Sequence, residues 1–242
     1  MDPSAYREMA DTEGRHWWFT GRRAILASLL RRLGLPRPAR ILEIGCGTGG
    51  NLEMLAAFGR VSAVESDPTA RAIALEKTGG RFEIRAGACP HDIPFPPQSF
   101  DLVCMFDVLE HIEEDVATLQ AVRGLLARGG HALITVPAYQ WMWSAHDEFL
   151  HHKRRYSAGE LRTKIEQAGF ESKALTYFNT LLFPLAAAVR LKDRVLRSES
   201  ASGHAVPAQP VNRLFHALFS AERHLLGRVP LPFGVSLLAV LG

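Results

Sequence analysis

Residues 41–50, Ile41-Leu42-Glu43-Ile44-Gly45-Cys46-Gly47-Thr48-Gly49-Gly50, read as an apolar strand that ends in a carboxylate and runs into a glycine turn. Without Cβ atoms the turn lets a ligand lie against main-chain N–H groups where the next helix begins, which is the chemistry of a nucleotide-type site. Two spacings overlap in it. Gly45, Gly47 and Gly50 spell G-x-G-x-x-G, which seats an anionic pyrophosphate, while Glu43, Gly45, Gly47 and Gly49 spell acidic-x-G-x-G-x-G. Glu43 separates the two electrostatically, because a carboxylate repels pyrophosphate and attracts a ligand end carrying ammonium and sulfonium charge. Residues 61–65 (VSAVE) form a second short strand, delivering Glu65 twenty residues after Gly45. A carboxylate there accepts from the ribose hydroxyls of either cofactor.

The strand 100–106 ends just before Asp107-Val108-Leu109-Glu110-His111, which sets these residues at the edge of the sheet where ligands bind. His111 titrates near working pH and is the candidate general base, and Asp107 is the neighbour of the ligand's charged end. His146, Asp147, His151 and His152 concentrate metal-ligand residue types, but their spacing matches no metal site and no metal is expected. HHKRRY at 151–156 offers cationic donors, with Arg155 able to grip a phosphate or carboxylate; the plain alternative is a solvated basic loop. Trp17 and Trp18, beside His16, Phe19, Arg22 and Arg23, stand before the first expected helix as a lid or as an anchor of the terminus.

Five segments in order carry a family resemblance: ILEIGCGTGG, VSAVES, FPPQSFDLVCMFDVLEHI (95–112), LLARGGHALITVPA (125–138) and HHKRRYSAGELRTKIEQAGFE (151–171). Over roughly residues 40–177 the chain resembles class I S-adenosylmethionine-dependent methyltransferases, of the type 11 and type 23 methyltransferase domains related to the ubiquinone-biosynthesis methyltransferases. The resemblance implies an α/β fold, a Rossmann-like doubly wound sheet of seven strands, mostly parallel, with helices on both faces and an antiparallel last strand beside the sixth. It implies S-adenosylmethionine as cofactor, S-adenosylhomocysteine as product, and no metal. Glu43, Gly45, Cys46, Gly47 and Gly49 then belong to the methionine end, Glu65 and Ser66 to the ribose, Ala88 and Cys89 to the adenine edge, and Asp107 and Val108 to the region near sulfur. His111 is the base, with Trp17, Trp18, His146, His152, Arg155 and Tyr156 as acceptor contacts. One departure stands out: Gly87-Ala88-Cys89 replaces the family's Gly-Asp, the Asp that meets the adenine amino group, and Asp92 is the nearest substitute. The implied activity is methyl transfer, O-methylation first, to a small or lipid-like acceptor. A nicotinamide-dependent oxidoreductase and a non-catalytic cofactor-binding module remain as alternatives.

The elements that must position these residues follow from patterning. Short strands ending near Ile44, Glu65, Ala86, Phe106 and Val136 alternate with helical stretches such as 70–77 and 115–127, which argues for a parallel sheet covered on both faces. Helical spacing at 24–33 is stopped by Gly34 and Pro36, and Ser157 with Glu160 spells a capping box that opens a helix ending at Gly169. Residues 173–178 and 234–241 read as the last two strands.

With 242 residues, 47% apolar, the chain is expected to be one elaborated domain: an N-terminal helix or lid at 1–37, a cofactor-binding core at 38–178, a helical insertion at 179–232 and a returning strand at 233–242. The insertion holds apolar helical spacing at 179–191 and 211–226, separated by a basic tail at 192–197 and a Ser, Gly and Pro-rich linker at 198–210. Packing on the sheet is the simple role; roofing an apolar acceptor or resting on a membrane surface is the functional one. A net charge of +3 gives no concentrated basic face, so no nucleic-acid partner is expected. Three cysteines without C-x-x-C spacing, a polar N-terminus and apolar runs far short of about 20 residues imply reduced thiols and a cytoplasmic protein, peripheral to a membrane at most.

Overall fold

The strands are β1 (Ala39–Ile44), β2 (Gly59–Glu65), β3 (Glu83–Ala86), β4 (Phe100–Phe106), β5 (Leu126–Pro137), β6 (Ser172–Phe178) and β7 (Ser236–Leu241), seen in a computed structural model that describes residues 3–196 and 206–242. They form one sheet in the order β3-β2-β1-β4-β5-β7-β6. β7 inserts antiparallel between β5 and β6, and the pairings from β3 to β5 are parallel. The strand order reverses where β1 meets β4, so the carboxyl ends of these two strands diverge and leave a crevice.

Both faces of the central strands are buried, which is why these strands read as nearly continuous apolar runs. Ile41, Leu102 and Cys104 face one core with Ile25, Leu29 and Phe219, while Leu42, Val103 and Met105 face the other with Leu119, Leu161 and Ile165. The helices covering these faces include α2 (Trp17–Leu30), α5 (Asp115–Leu125), α7 (Ala158–Gln167) and α9 (Gln209–Ala221). Ser157 caps α7 as the S-x-x-E spelling requires, with Glu160 Oε2 accepting from the Ser157 N–H at 2.8 Å and Gly169 leaving the helix at φ +80°.

The N-terminal region departs from the sequence reading. A first helix, α1 (Pro3–Thr12), precedes α2, and α2 begins at Trp17 instead of near residue 24. Trp17 and Trp18 therefore stand inside the first turn of a helix. The cap is half local and half distant: His16 Nδ1 accepts from the Trp18 N–H at 3.2 Å, and Asn212 Oδ1 accepts from the Trp17 N–H at 2.9 Å. No Ser, Thr, Asp or Asn marks that start locally, so patterning misses it. After the glycine turn the helix is short, α3 (Leu52–Ala56), α4 (Pro68–Lys77) follows β2, and a second short helix, α6 (Ala145–Phe149), lies between β5 and α7.

The two insertion helices have different fates. α9 packs on α2, where Trp18 stacks on Phe219 with centroids 5.1 Å apart, and Gly21 makes room because a Cβ there would lie 2.7 Å from Phe219 Cδ1. α8 (Phe183–Leu196) instead leaves Leu185 and Val189 exposed. The expected linker at 198–210 lies outside the described residues from 198 to 205, as does Arg197 of the basic tail. No described helix is long and apolar enough to cross a membrane.

Candidate functional site

A cavity of about 1100 Å³ opens at the carboxyl ends of β1, β2 and β4 and extends to α8. Its first half is the glycine turn. Gly45 sits at φ +69°, where an added Cβ would meet Val108 Cγ2 at 2.7 Å, so the turn and the end of β4 touch backbone to side chain. Glu65 accepts from the Gly47 N–H at 2.7 Å and the Asp67 N–H at 2.9 Å, which fixes its carboxylate on the cavity wall. Cys46, Gly47, Ser66, Ala88 and Cys89 also line this half. Asp92 is paired backbone to backbone with Ala88 and does not face the cavity, so it replaces nothing at the adenine edge.

Asp107 follows β4 at φ +57°, a left-handed conformation uncommon outside glycine and concentrated at functional sites. Its Oδ1 accepts from Thr135 Oγ1 at 3.1 Å and its Oδ2 pairs with Arg22. Arg22 is buried, lines the cavity, and keeps its Nε without a partner. Val108 lies beside it.

Three positions inferred from the sequence do not reach the cavity. Gly49 turns toward Ala74 and Leu52, serving the packing of α3 and α4. Tyr156 is fully buried, its hydroxyl donating to Asp115 Oδ2 at 3.2 Å, so it is a core residue and no acceptor contact. Glu43 lies beneath the turn, 1% exposed, where Asn51 Nδ2 donates to its Oε1 at 2.8 Å. Burial pushes its carboxyl up to about 8, so it is largely protonated at neutral pH. A carboxyl whose folded pKa exceeds its unfolded one loses stability contribution as pH rises between the two values, here from about 4.5 to about 8. Glu43→Gln is therefore expected to gain stability over the parent across that window. Each unit of such a shift is worth about 1.4 kcal/mol, so urea unfolding at both ends of the window should show a gap growing by at least that much; a constant gap refutes the burial argument.

The second half of the cavity is lined by Glu110, His111, His146, His152 and Arg155, and Trp17 and Trp18 also line the cavity. Arg155 does not offer a free fork. Its Nε and Nη2 donate to Asp147 at 2.7 and 3.0 Å, and Arg154 is spent on Asp115 at 2.8 Å. Sequence shows the cations of 151–156 but not the tertiary carboxylates that neutralise them. Asp147 also accepts from His152 Nδ1 at 2.9 Å, so it is committed as a partner and the set His146, Asp147, His151 and His152 does not assemble around one point.

A different set does: one ligand atom each from Glu110, His111 and His152 lies within 4.8 Å of the others, the residues that could hold a metal ion. Glu110 is fully buried, and burial together with Asp107 raises its carboxyl well above the usual range. Burial, reinforced by His152, lowers His111 to about 3, so its imidazole is neutral.

Several site residues escaped the sequence reading. Tyr6 and Met9 of α1 close the glycine half, and Glu13 accepts from Thr48 Oγ1 at 2.8 Å while pairing with Lys77. Arg190 of α8 lines the far half, its nearest carboxylate, Asp193, 3.8 Å away. Their helices carry no motif; only the fold brings them to the cavity.

A cationic, adenosyl-bearing ligand fits the first half. The turn is shaped by glycines whose Cβ atoms would obstruct it, and Glu65, Asp107 and Glu13 outnumber Arg22 there. The nicotinamide alternative, which would bring a pyrophosphate, meets the opposite sign of field.

Comparison with known proteins agrees. The family described as "Methyltransferase domain" matches residues 18–175. A Mycobacterium tuberculosis protein named "Probable S-adenosylmethionine-dependent methyltransferase" is 27% identical over 173 residues, 70% of this chain and 61% of that one. The ubiquinone biosynthesis O-methyltransferase of Xanthomonas euvesicatoria pv. vesicatoria is 32% identical over 102 residues, covering 40% of this chain and 42% of that one. The chain thus spans about three fifths of the length of the first curated relatives it matches. In fold it is similar to the S-adenosylmethionine-dependent methyltransferase of Mesorhizobium loti, with a TM-score of 0.56 at 17% identity over 88% of this chain and 95% of that one. The cofactor of this family is S-adenosylmethionine. The chain belongs to the methyltransferase domain family.

Proposed function

We propose that this chain transfers the methyl group of S-adenosylmethionine to a hydroxyl of a small or lipid-like acceptor. The observation that carries the reading is that one cavity is lined by the glycine turn, by His111 and by the apolar residues of α8. When bound, the cofactor supplies an electrophilic methyl carbon on a sulfonium and leaves as the neutral thioether S-adenosylhomocysteine. Glu65 and Ser66 orient the ribose, Gly45, Cys46 and Gly47 cradle the methionine end, and Ala88 and Cys89 flank the base. Asp107, held by Arg22 and Thr135, attracts the cationic end.

On the acceptor side, Leu182, Leu185, Ala186 and Val189 hold an aliphatic portion and exclude water. Arg190, loosely paired, is the cation with donors to spare for an anionic head. His111 accepts from the acceptor hydroxyl on a neutral ring nitrogen and passes its proton on to solvent, since burial keeps the ring from holding it. His146, His152, Trp17 and Trp18 also line the cavity. The 179–232 insertion also suits a membrane surface: Leu181, Leu191, Leu214 and Leu225 are exposed near the basic Lys192, Arg213 and Arg228.

Calorimetry with S-adenosylhomocysteine, followed by cofactor turnover against a panel of hydroxylated aromatic and long-chain acceptors, tests the reading. His111→Ala is expected to lower turnover by about 10²–10⁴-fold, the range for losing a positioned proton acceptor, with product affinity nearly unchanged. Tight product binding without turnover of any acceptor favours a non-catalytic module instead. Absence of flotation with anionic vesicles at low salt removes the membrane part alone.

A further inference from the structure

Glu110 poses a problem that the mechanism above leaves unsolved. Its side chain is 0% exposed and neither carboxylate oxygen has a hydrogen-bond partner. Leaving a carboxylate buried and unpaired is costly, and such groups in folded proteins are paired or coordinate a cation. The Glu110 carbonyl accepts from the Lys153 N–H at 2.7 Å, which ties its turn to the loop that carries His152.

The neighbours of this orphaned group are two imidazoles. The rings of His111 and His152 stand edge to face with centroids 4.6 Å apart, and one donor atom from each of the three residues falls within 4.8 Å of the others. His152 is oriented from behind: its Nδ1 donates to Asp147 Oδ1 at 2.9 Å, which leaves Nε2 as its free ligand atom. A carboxylate gripping the far nitrogen of a histidine is the arrangement that fixes tautomer and ring angle in metal sites. All three residues border the cavity, and two of them, His111 and His152, are partly exposed, which gives an ion a way in.

We infer that Glu110, His111 and His152 form a binding site for one divalent transition-metal ion. Two imidazoles and one carboxylate suit zinc, manganese, iron or cobalt better than magnesium or calcium, which prefer oxygen-only sets. The binding claim stands on its own; its catalytic meaning rests on the methyl-transfer reading. There the cation supplies positive charge beside the acceptor oxygen and eases loss of its proton to solvent, so that His111 serves as ligand in place of proton acceptor. Asp147 is then a positioning residue acting through His152.

The test uses the whole chain, stripped with chelator and titrated with Co²⁺ while visible absorption is followed, then with Zn²⁺ as competitor. One equivalent of Co²⁺ with an absorption band displaced by Zn²⁺ is expected. Glu110→Gln and His152→Gln should each weaken Co²⁺ binding at least about tenfold, and Asp147→Asn about 10–100-fold, while exposed His91→Ala changes nothing. Circular dichroism checks that each variant folds; the stoichiometry of the parent chain decides alone where one does not. No stoichiometric Co²⁺ or Zn²⁺ binding by the parent, or binding indifferent to both ligand substitutions in folded protein, overturns the site. S-adenosylhomocysteine calorimetry on the same samples separates the claims: product binding without metal sinks only the metal site, and metal binding without product binding sinks only the methyl-transfer reading.

Discussion

Asp147→Ala is expected to cost about 3–5 kcal/mol of folding stability, the range for removing one partner of a buried ion pair. Asp147 is 0% exposed in its side chain and Arg155 only 6%. Five hydrogen bonds converge on the carboxylate: two from the Arg155 fork, one from His152 and two from the Ser144 N–H and hydroxyl. Alanine leaves the guanidinium charged, out of water and holding one remaining bond, from Nη1 to the Ala138 carbonyl at 3.2 Å. Asn at the same position keeps part of the network and should fall between parent and alanine. Urea unfolding at neutral pH measures the difference, and a loss below about 1 kcal/mol, typical of an exposed pair, would mean that water reaches this cluster. Donor-site affinity should be retained in folded Asp147→Asn, because the pair belongs to the acceptor half.

That cluster shows where sequence stops being informative. The strands were legible because both faces of β1 and β4 are buried, so Ile41 to Ile44 and Leu102 to Met105 read as apolar runs bounded by turn signals. The glycine turn was legible because its spacing is local. Arg155, by contrast, reads as a free cation until the fold supplies Asp147, and Tyr156 reads as a polar loop residue until it is seen buried on Asp115. Glu43 was correctly read as a carboxylate at the end of β1, yet its depth, which decides its charge, depends on Asn51 and the covering turn. α1 was missed because PSAYREMADT is polar overall and its apolar residues are only Ala5, Tyr6, Met9 and the small Ala10; Glu13, just beyond it, reaches Thr48 and Lys77. Glu110 hides in the same way, since a carboxylate between Leu109 and His111 gives no local sign of being sealed from water.

Gly45→Ala should produce the largest loss at the donor end. Two costs add there: an L-residue held at φ +69° is disfavoured by about 1–2 kcal/mol, and a Cβ 2.7 and 2.9 Å from the two Val108 methyls overfills the contact, for about 1–3 kcal/mol more. The strain can be relieved only by moving Val108 or the turn, and both form the cofactor wall. Affinity for S-adenosylhomocysteine is therefore expected to fall by about 30–4000-fold, which at about 1.4 kcal/mol per decade matches a loss of about 2–5 kcal/mol. Gly79→Ala separates the two terms. Gly79 has φ +59° but nothing within 4 Å of an added Cβ, so it should lose stability by backbone strain alone and bind the product as the parent does. If Gly45→Ala also bound like the parent, the close approach of the glycine turn to Val108 would not be what shapes the donor site, and the cofactor would have to lie elsewhere along the cavity.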